Sequence, residues 1–170
     1  MEESELVKKA GNGDREAFCQ LYSIYKDRLY RYAYYRLGND ADAQDAVQDC
    51  IVSAFEQIGK LRRAEAFPRW IFKILHSSCS IYVKQQIRQR ENETLDTARP
   101  SANLYVTMNE SATELCCALD LLSAEERDIV LLSVVAGFTS KEISKLTGLT
   151  AGSVRSKLSR SLSKMRTYLE

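Results

Sequence analysis

A chain of 170 residues with a formal net charge of +1 and 28% charged residues has room for one domain or two small ones, and its total charge excludes a polycation that coats nucleic acid unaided. One histidine and five scattered cysteines with no CxxC pair are too few ligands for a metal centre and no disulfide framework; reduced, mostly buried thiols are expected. No signal peptide opens the sequence, and the longest apolar stretch, Ile129 to Phe138, is broken by Ser133 and too short for a bilayer, so a soluble, cytoplasmic protein without membrane insertion is expected.

Two prolines, seven glycines and no alternating apolar runs predict an all-helical fold. A short first helix places Leu6, Val7 and Ala10 inward and stops at Gly11-Asn12-Gly13. Asp14 is placed to cap a long second helix whose Phe18, Leu21, Tyr22, Tyr25, Leu29, Tyr32 and Ala33 recur at helical spacing. Six of the nine tyrosines fall between Tyr22 and Tyr35, so the belt invites two readings, core filler or base-stacking platform. Tyr22, Tyr25 and Tyr32 are read as core, and Tyr30, Tyr34 and Tyr35 are left open. After Gly38-Asn39, a third helix buries Ala43, Ala46, Val47, Cys50, Ile51, Ala54, Phe55 and Ile58. Its other face carries Asp40, Asp42, Asp45, Asp49 and Glu56 with no Lys or Arg among them. The helix dipole accounts for the early aspartates but not for Asp49 or Glu56. Such a stripe is either a solvated face or a docking surface for a basic partner helix.

Gly59 to Arg63 is a basic loop, and Pro68 suits the first turn of a fourth helix. Phe67, Ile71, Ile74, Leu75, Cys79, Tyr82, Val83 and Ile87 form its expected core side, opposite Arg69, Lys73, Ser77, Ser80, Lys84 and Arg88. Between Lys60 and Arg90, eight Lys or Arg meet one acid, Glu65, with Phe67, Trp70 and Tyr82 set among them. Cations interleaved with aromatics point to a nucleic-acid surface. His76 and Cys79 have ligand-like spacing, but two ligands make no site. From Glu91 to Asn109 the periodicity is lost in an acidic, Pro100-containing stretch, read as a flexible linker. Ser111 and Glu114 then have capping spacing ahead of Leu115, Ala118, Leu119 and Leu122.

The last third reads as a helix-turn-helix. Ser123 and Glu126 have capping-box spacing, as do Thr139 and Glu142. Gly137 ends the apolar run from Ile129 to Ala136, and Gly148 makes the tight turn. The last helix carries Val154, Leu158, Leu162, Met165 and Leu169 inward. Ser153, Arg155, Ser156, Lys157 and Arg160 project from its first turns, with Ser159, Lys164 and Arg166 nearby, and no acid occurs between Ala151 and Leu169. Hydroxyls and long cations at the start of a second helix can reach base edges and phosphates in a major groove.

Taken together, the stretches Phe18-x-x-Leu21-Tyr22-x-x-Tyr25, Asp42 to Asp49, Pro68 to Ile74, and Leu122 to Arg127 continuing through Gly152 to Leu158 resemble, in this order and over essentially the whole chain, a sigma factor of bacterial RNA polymerase of the extracytoplasmic-function, or group four, type. The resemblance implies two helical domains, 1–90 and 111–170, joined by a linker at 91–110. It implies that Asp42, Asp45, Gln48 and Asp49 bind the core polymerase. Lys60, Arg62, Arg63, Trp70, Lys73, Ser77, Ser80, Lys84 and Arg88 would hold and melt the proximal promoter element. Thr150, Ser153, Arg155, Ser156, Lys157 and Arg160 would read the distal one. Two departures stand out: where such proteins often have a denser basic cluster this chain has Ser80-Ile81-Tyr82-Val83-Lys84-Gln85-Gln86, and Ala151 stands where a proline is common. The implied partners are core polymerase, promoter DNA and a separate anti-sigma protein. No cofactor is implied, and no phosphate loop or nucleophile-base pair suggests an enzyme. A repressor or activator with a sensing N-terminal domain, and a helical adaptor that binds only protein, are the rival readings. The small net charge disfavours the repressor, because autonomous DNA affinity rests on phosphate neutralisation.

Overall fold

In the computed structural model, residues 2–92 and 110–170 are described, and every element among them is helical. Helices α1 (Glu3–Gly11), α2 (Arg15–Leu37), α3 (Asp40–Gln57) and α4 (Phe67–Asn92) form one compact unit, and α5 (Glu110–Asp120), α6 (Ala124–Val134), α7 (Ser140–Thr147) and α8 (Ala151–Leu169) form a second. Single 3-10 turns at Ile58–Lys60 and Ala64–Ala66 carry the chain from α3 to α4. Most of the expected linker, with Glu93, Asp96 and Pro100, lies outside the described residues.

In the first unit α1 buries Leu6, Val7 and Ala10. Asp14 begins α2 as expected, its Oδ1 accepting the Ala17 amide at 3.1 Å. The core is an aromatic layer between α2 and α4: Tyr25 meets Phe67 edge-on at 5.4 Å and Tyr32 meets Phe72 at 6.0 Å, with the Arg28 guanidinium 5.2 Å from the Phe72 centroid. The Tyr25 hydroxyl donates to Glu3 Oε1 at 2.6 Å, and burial raises its pKa. Tyr32 is wholly buried, and its hydroxyl lies 3.1 Å from His76 Nδ1. Arg36 completes the clamp, donating to the His76 carbonyl at 2.8 Å and to Ser80 Oγ at 2.9 Å, while Ser80 donates back to that carbonyl. On the α3 side, Cys50 Sγ donates to the Ile71 carbonyl, and burial pushes the thiol up to about 12.

Three expectations change here. Tyr34, left open from sequence, is buried, whereas Tyr22 is only half-buried. The core side of α4 ends at Cys79: Tyr82 and Val83 are half-buried and Ile87 is exposed. For Ile87 the reason is length, because Gln86 already reaches the Leu37 carbonyl that closes α2 and Asp42 in the first turn of α3, so α4 outruns its neighbours from there on. Phe55, expected inward, is 42% exposed, touching the core only through an edge contact with Phe18 at 5.2 Å.

In the second unit both capping boxes form. Ser123 and Glu126 exchange two hydrogen bonds at 3.1 Å each, and Thr139 and Glu142 do the same at 3.2 and 3.1 Å. Gly137 and Gly148 take φ of +76° and +79°, the left-handed geometry their helix ends require. Helix α5 already begins at Glu110, so Ser111 lies inside it and not at its cap. Along α8, Val154 and Met165 are buried and Leu158 and Leu162 half-buried, but Leu169 is exposed and the fully buried residue between them is Ser161. Ser161 follows Val154 by two turns and so shares its face, where its hydroxyl donates to Glu126 Oε2 at 3.1 Å.

Glu126 therefore caps α6, satisfies a buried hydroxyl and, at 3.7 Å, faces the Lys164 ammonium. The Ser123 amide, first among these contacts, holds its carboxyl below the ordinary glutamate pKa. A group whose folded pKa is depressed stabilises above its unfolded pKa and loses that contribution as pH falls. In urea titrations Glu126→Ala is expected to destabilise the chain by about 1–3 kcal/mol at neutral pH, since it removes a cap and orphans Ser161. Glu126→Gln, which keeps capping geometry, is expected to flatten the loss of stability that the natural chain shows as pH drops below the glutamate range.

Candidate nucleic-acid interfaces and an acidic docking face

Helix α8 starts where Thr150 Oγ1 accepts the Ser153 amide at 3.1 Å, so Thr150 is the N-cap and its hydroxyl oxygen serves the helix first. The O–H hydrogen stays available for a phosphate. Arg155, Ser156, Ser159 and Arg160 line one shallow concavity on the outer face of α8. Arg155, Ser156, Ser159 and Arg160 are exposed, and Ser153 is half-buried. Ser159, outside the sequence-derived contact set, belongs to this surface; its signal was its step of three from Ser156 and four from Arg155. Lys157 turns the other way. Its ammonium pairs with the Glu125 carboxylate of α6, and its side chain is only 30% exposed. Lys157, expected at the groove, is held against α6 by this pair.

In the first unit Lys60, Arg62 and Arg63 are exposed in the connection before α4, with Arg63 loosely paired to Glu65 at 3.8 Å. Both partners are well solvated, so that pair contributes little and leaves the cation available. Trp70 is half-buried with its ring 5.8 Å from that of Phe67. Lys73, Ser77, Lys84 and Arg88 are exposed on α4. Ser80 is not equivalent to them: it is half-buried and its oxygen receives the Arg36 guanidinium. The outward stripe instead runs Trp70, Lys73, Ser77, Ile81, Lys84, Arg88 at steps of three or four.

The acidic face of α3 is partly spoken for. Tyr82 Oη donates to Asp49 Oδ2 at 2.7 Å, and Gln86 Nε2 donates to Asp42 Oδ2 at 2.8 Å. The Asp49 carboxylate pushes the Tyr82 phenol up to about 12, because the hydrogen bond and the nearby negative charge favour the neutral form. Asp45, Gln48 and Asp49 are exposed. Val52, 53% exposed, stands among them, three residues beyond Asp49 and seven beyond Asp45. That spacing put it off the core stripe, a signal that the sequence reading passed over. The face is thus acidic with an apolar centre. Elsewhere, the Arg36 guanidinium 3.3 Å from His76 Nδ1 occupies the ground where a cation bound to that nitrogen would sit. Among the described residues no helix is long and apolar enough to cross a membrane.

The two units match two parts of one family. The Sigma-70 region 2 profile matches residues 21–89 and the Sigma-70, region 4 profile matches residues 113–165. Among similar curated proteins, the extracytoplasmic-function RNA polymerase sigma factor BldN of Streptomyces coelicolor is 26% identical over 159 residues, 89% of this chain and 60% of BldN. SigM of Mycobacterium tuberculosis is 26% identical over 167 residues, covering 98% of this chain and 84% of that protein. Among solved structures, CnrH in complex with the cytosolic domain of CnrY has the same fold, with a TM-score of 0.70 at 22% identity over 98% of this chain and 96% of that one. The chain belongs to the sigma-70 family as an extracytoplasmic-function sigma factor of RNA polymerase, a regulatory protein of promoter-specific transcription initiation.

Proposed function

We propose that the labour of initiation is divided among three surfaces of this chain, and that the chain acts in the cytoplasm as a specificity subunit without catalysis of its own. Residues 1–90 dock on core polymerase through Asp42, Asp45, Gln48 and Asp49, with Val52 as the apolar centre of the contact. The connection carrying Lys60, Arg62 and Arg63 and the α4 stripe of Trp70, Lys73, Ser77, Lys84 and Arg88 hold the opened proximal element. Residues 111–170 read the distal element through Arg155, Ser156, Ser159 and Arg160, with Thr150 and Ser153 at the helix start. Residues 91–110 serve as the acidic linker. The observation that carries this reading is the sorting of charge: acids without a cation on α3, and cations on the outward stripe of α4 and the outer face of α8. Control falls to a separate anti-sigma protein, by analogy with the similarly folded sigma factor RpoE of Bartonella quintana, whose solved structure is a complex with the anti-sigma factor NepR.

Docking is tested by Asp45→Lys combined with Asp49→Lys. Both residues lie off the buried stripe, so helical content by circular dichroism should hold. Like-charge juxtaposition at the contact costs several kcal/mol, so pull-down of core polymerase should be lost. Normal affinity for core would remove the docking role.

The two DNA surfaces should separate by defect. Arg155→Ala or Arg160→Ala is expected to weaken distal-element recognition by about tenfold to a hundredfold, the worth of one base-reading arginine, while transcription from pre-melted templates survives. Lys157→Ala should stay within a few-fold, as its partner is Glu125. Arg63→Ala, Trp70→Ala or Lys84→Ala should instead reduce permanganate reactivity of the opened strand. Equal defects from both sets on pre-melted DNA would overturn the division.

A further inference from the structure

Exposed large apolar side chains of the first unit have different electrostatic surroundings. Val52, and Phe55 beside it, stand on the acidic face of α3. Ile81 stands among cations. It is 58% exposed, and on the α4 surface its neighbours are Ser77 four residues before it, Lys84 three after it and Arg88 seven after it, with Lys73 two turns back. Among the described residues no carboxylate pairs with Lys73, Lys84 or Arg88. From Lys73 to Lys84 the helix rises about 16 Å, a length over which a strand can place several nucleotides. A partner of this stripe must therefore be anionic at both ends and present something apolar between. A nucleic-acid strand does so, with phosphates for the lysines and a base for the isoleucine.

We propose that Ile81 is a sequence-reading contact, its side chain packing against a thymine of the opened promoter strand between phosphates held by Lys73 and Lys84. An isoleucine offers no donor or acceptor, so it discriminates by surface alone. The 5-methyl of thymine is the apolar group that a base edge can present. The lysines supply affinity without sequence, and Ile81 adds the preference. This rests on the reading that the α4 stripe binds the opened strand.

The test uses the full chain, free and bound to core polymerase, with fluorescein-labelled single-stranded oligo(dT) and oligo(dU) of equal length, which differ only in the methyl group. Fluorescence anisotropy should give the natural chain about a fourfold preference for oligo(dT), the value of one methyl group removed from water. Ile81→Ala should bring that ratio to one, lowering oligo(dT) affinity about fourfold more than oligo(dU) affinity, with helical content as control. Lys73→Ala combined with Lys84→Ala should weaken both oligonucleotides alike. A natural chain without the preference, or an Ile81→Ala chain that keeps it, overturns the proposal, as does an Ile81→Ala chain whose defect is in core binding alone. A double-lysine variant that binds both oligonucleotides normally overturns instead the reading of α4 on which the proposal stands.

Discussion

A hydroxyl taken out of water costs free energy unless it is hydrogen-bonded, and in each unit one such bond, with the apolar face around it, fixes the rotation of a functional helix. Tyr32 is completely buried, and its Oη meets His76 Nδ1 at 3.1 Å. That contact turns the His76 side of α4 toward α2, where Arg36 locks it through His76 and Ser80. The opposite side, from Trp70 to Arg88, is then obliged to face outward. In the second unit Ser161 plays the same part: its hydroxyl, held by Glu126, turns one face of α8 onto α6 and leaves Arg155, Ser156, Ser159 and Arg160 outside. The functional surfaces are what these buried contacts leave outside.

The same accounting decides which charges are available to a partner. Lys157 faces an acid at the start of α6, Glu125, so α8 is less cationic in its first turns than its composition implies. Arg36 is consumed by the α2–α4 clamp, and Arg127 by the Leu119 carbonyl and Asp120. What stays available is a small set at chosen places, which suits a protein that shares its DNA contacts with a larger assembly better than one that binds DNA alone.

Much of this was legible in the chain because it is local. Capping pairs sit three residues apart, glycine turns announce themselves, and the apolar stripe of α3 recurs at steps a helix imposes, so the helices, both capping boxes and the acidic face followed from short windows. What escaped depends on partners far along the chain. Lys157 and Glu125 are 32 residues apart, and Arg36 and Ser80 are 44 apart. Periodicity also assumes a neighbour along the whole helix, and α4 lacks one beyond Gln86, which is why Ile87, regular in pattern, stands exposed; on α8 Leu169, equally regular, is exposed while Ser161, irregular in type, is buried.

The bonds from Tyr82 to Asp49 and from Gln86 to Asp42 tie two carboxylates of α3 to the far end of α4. An aspartate on a bare helix samples several rotamers, and any partner that grips it must first freeze it. Here a neighbouring helix has already done so, and the exposed Asp49 carboxylate still presents its second oxygen. The entropy that association ordinarily loses at such side chains is therefore absorbed during folding, and the face meets its partner as a preorganised surface.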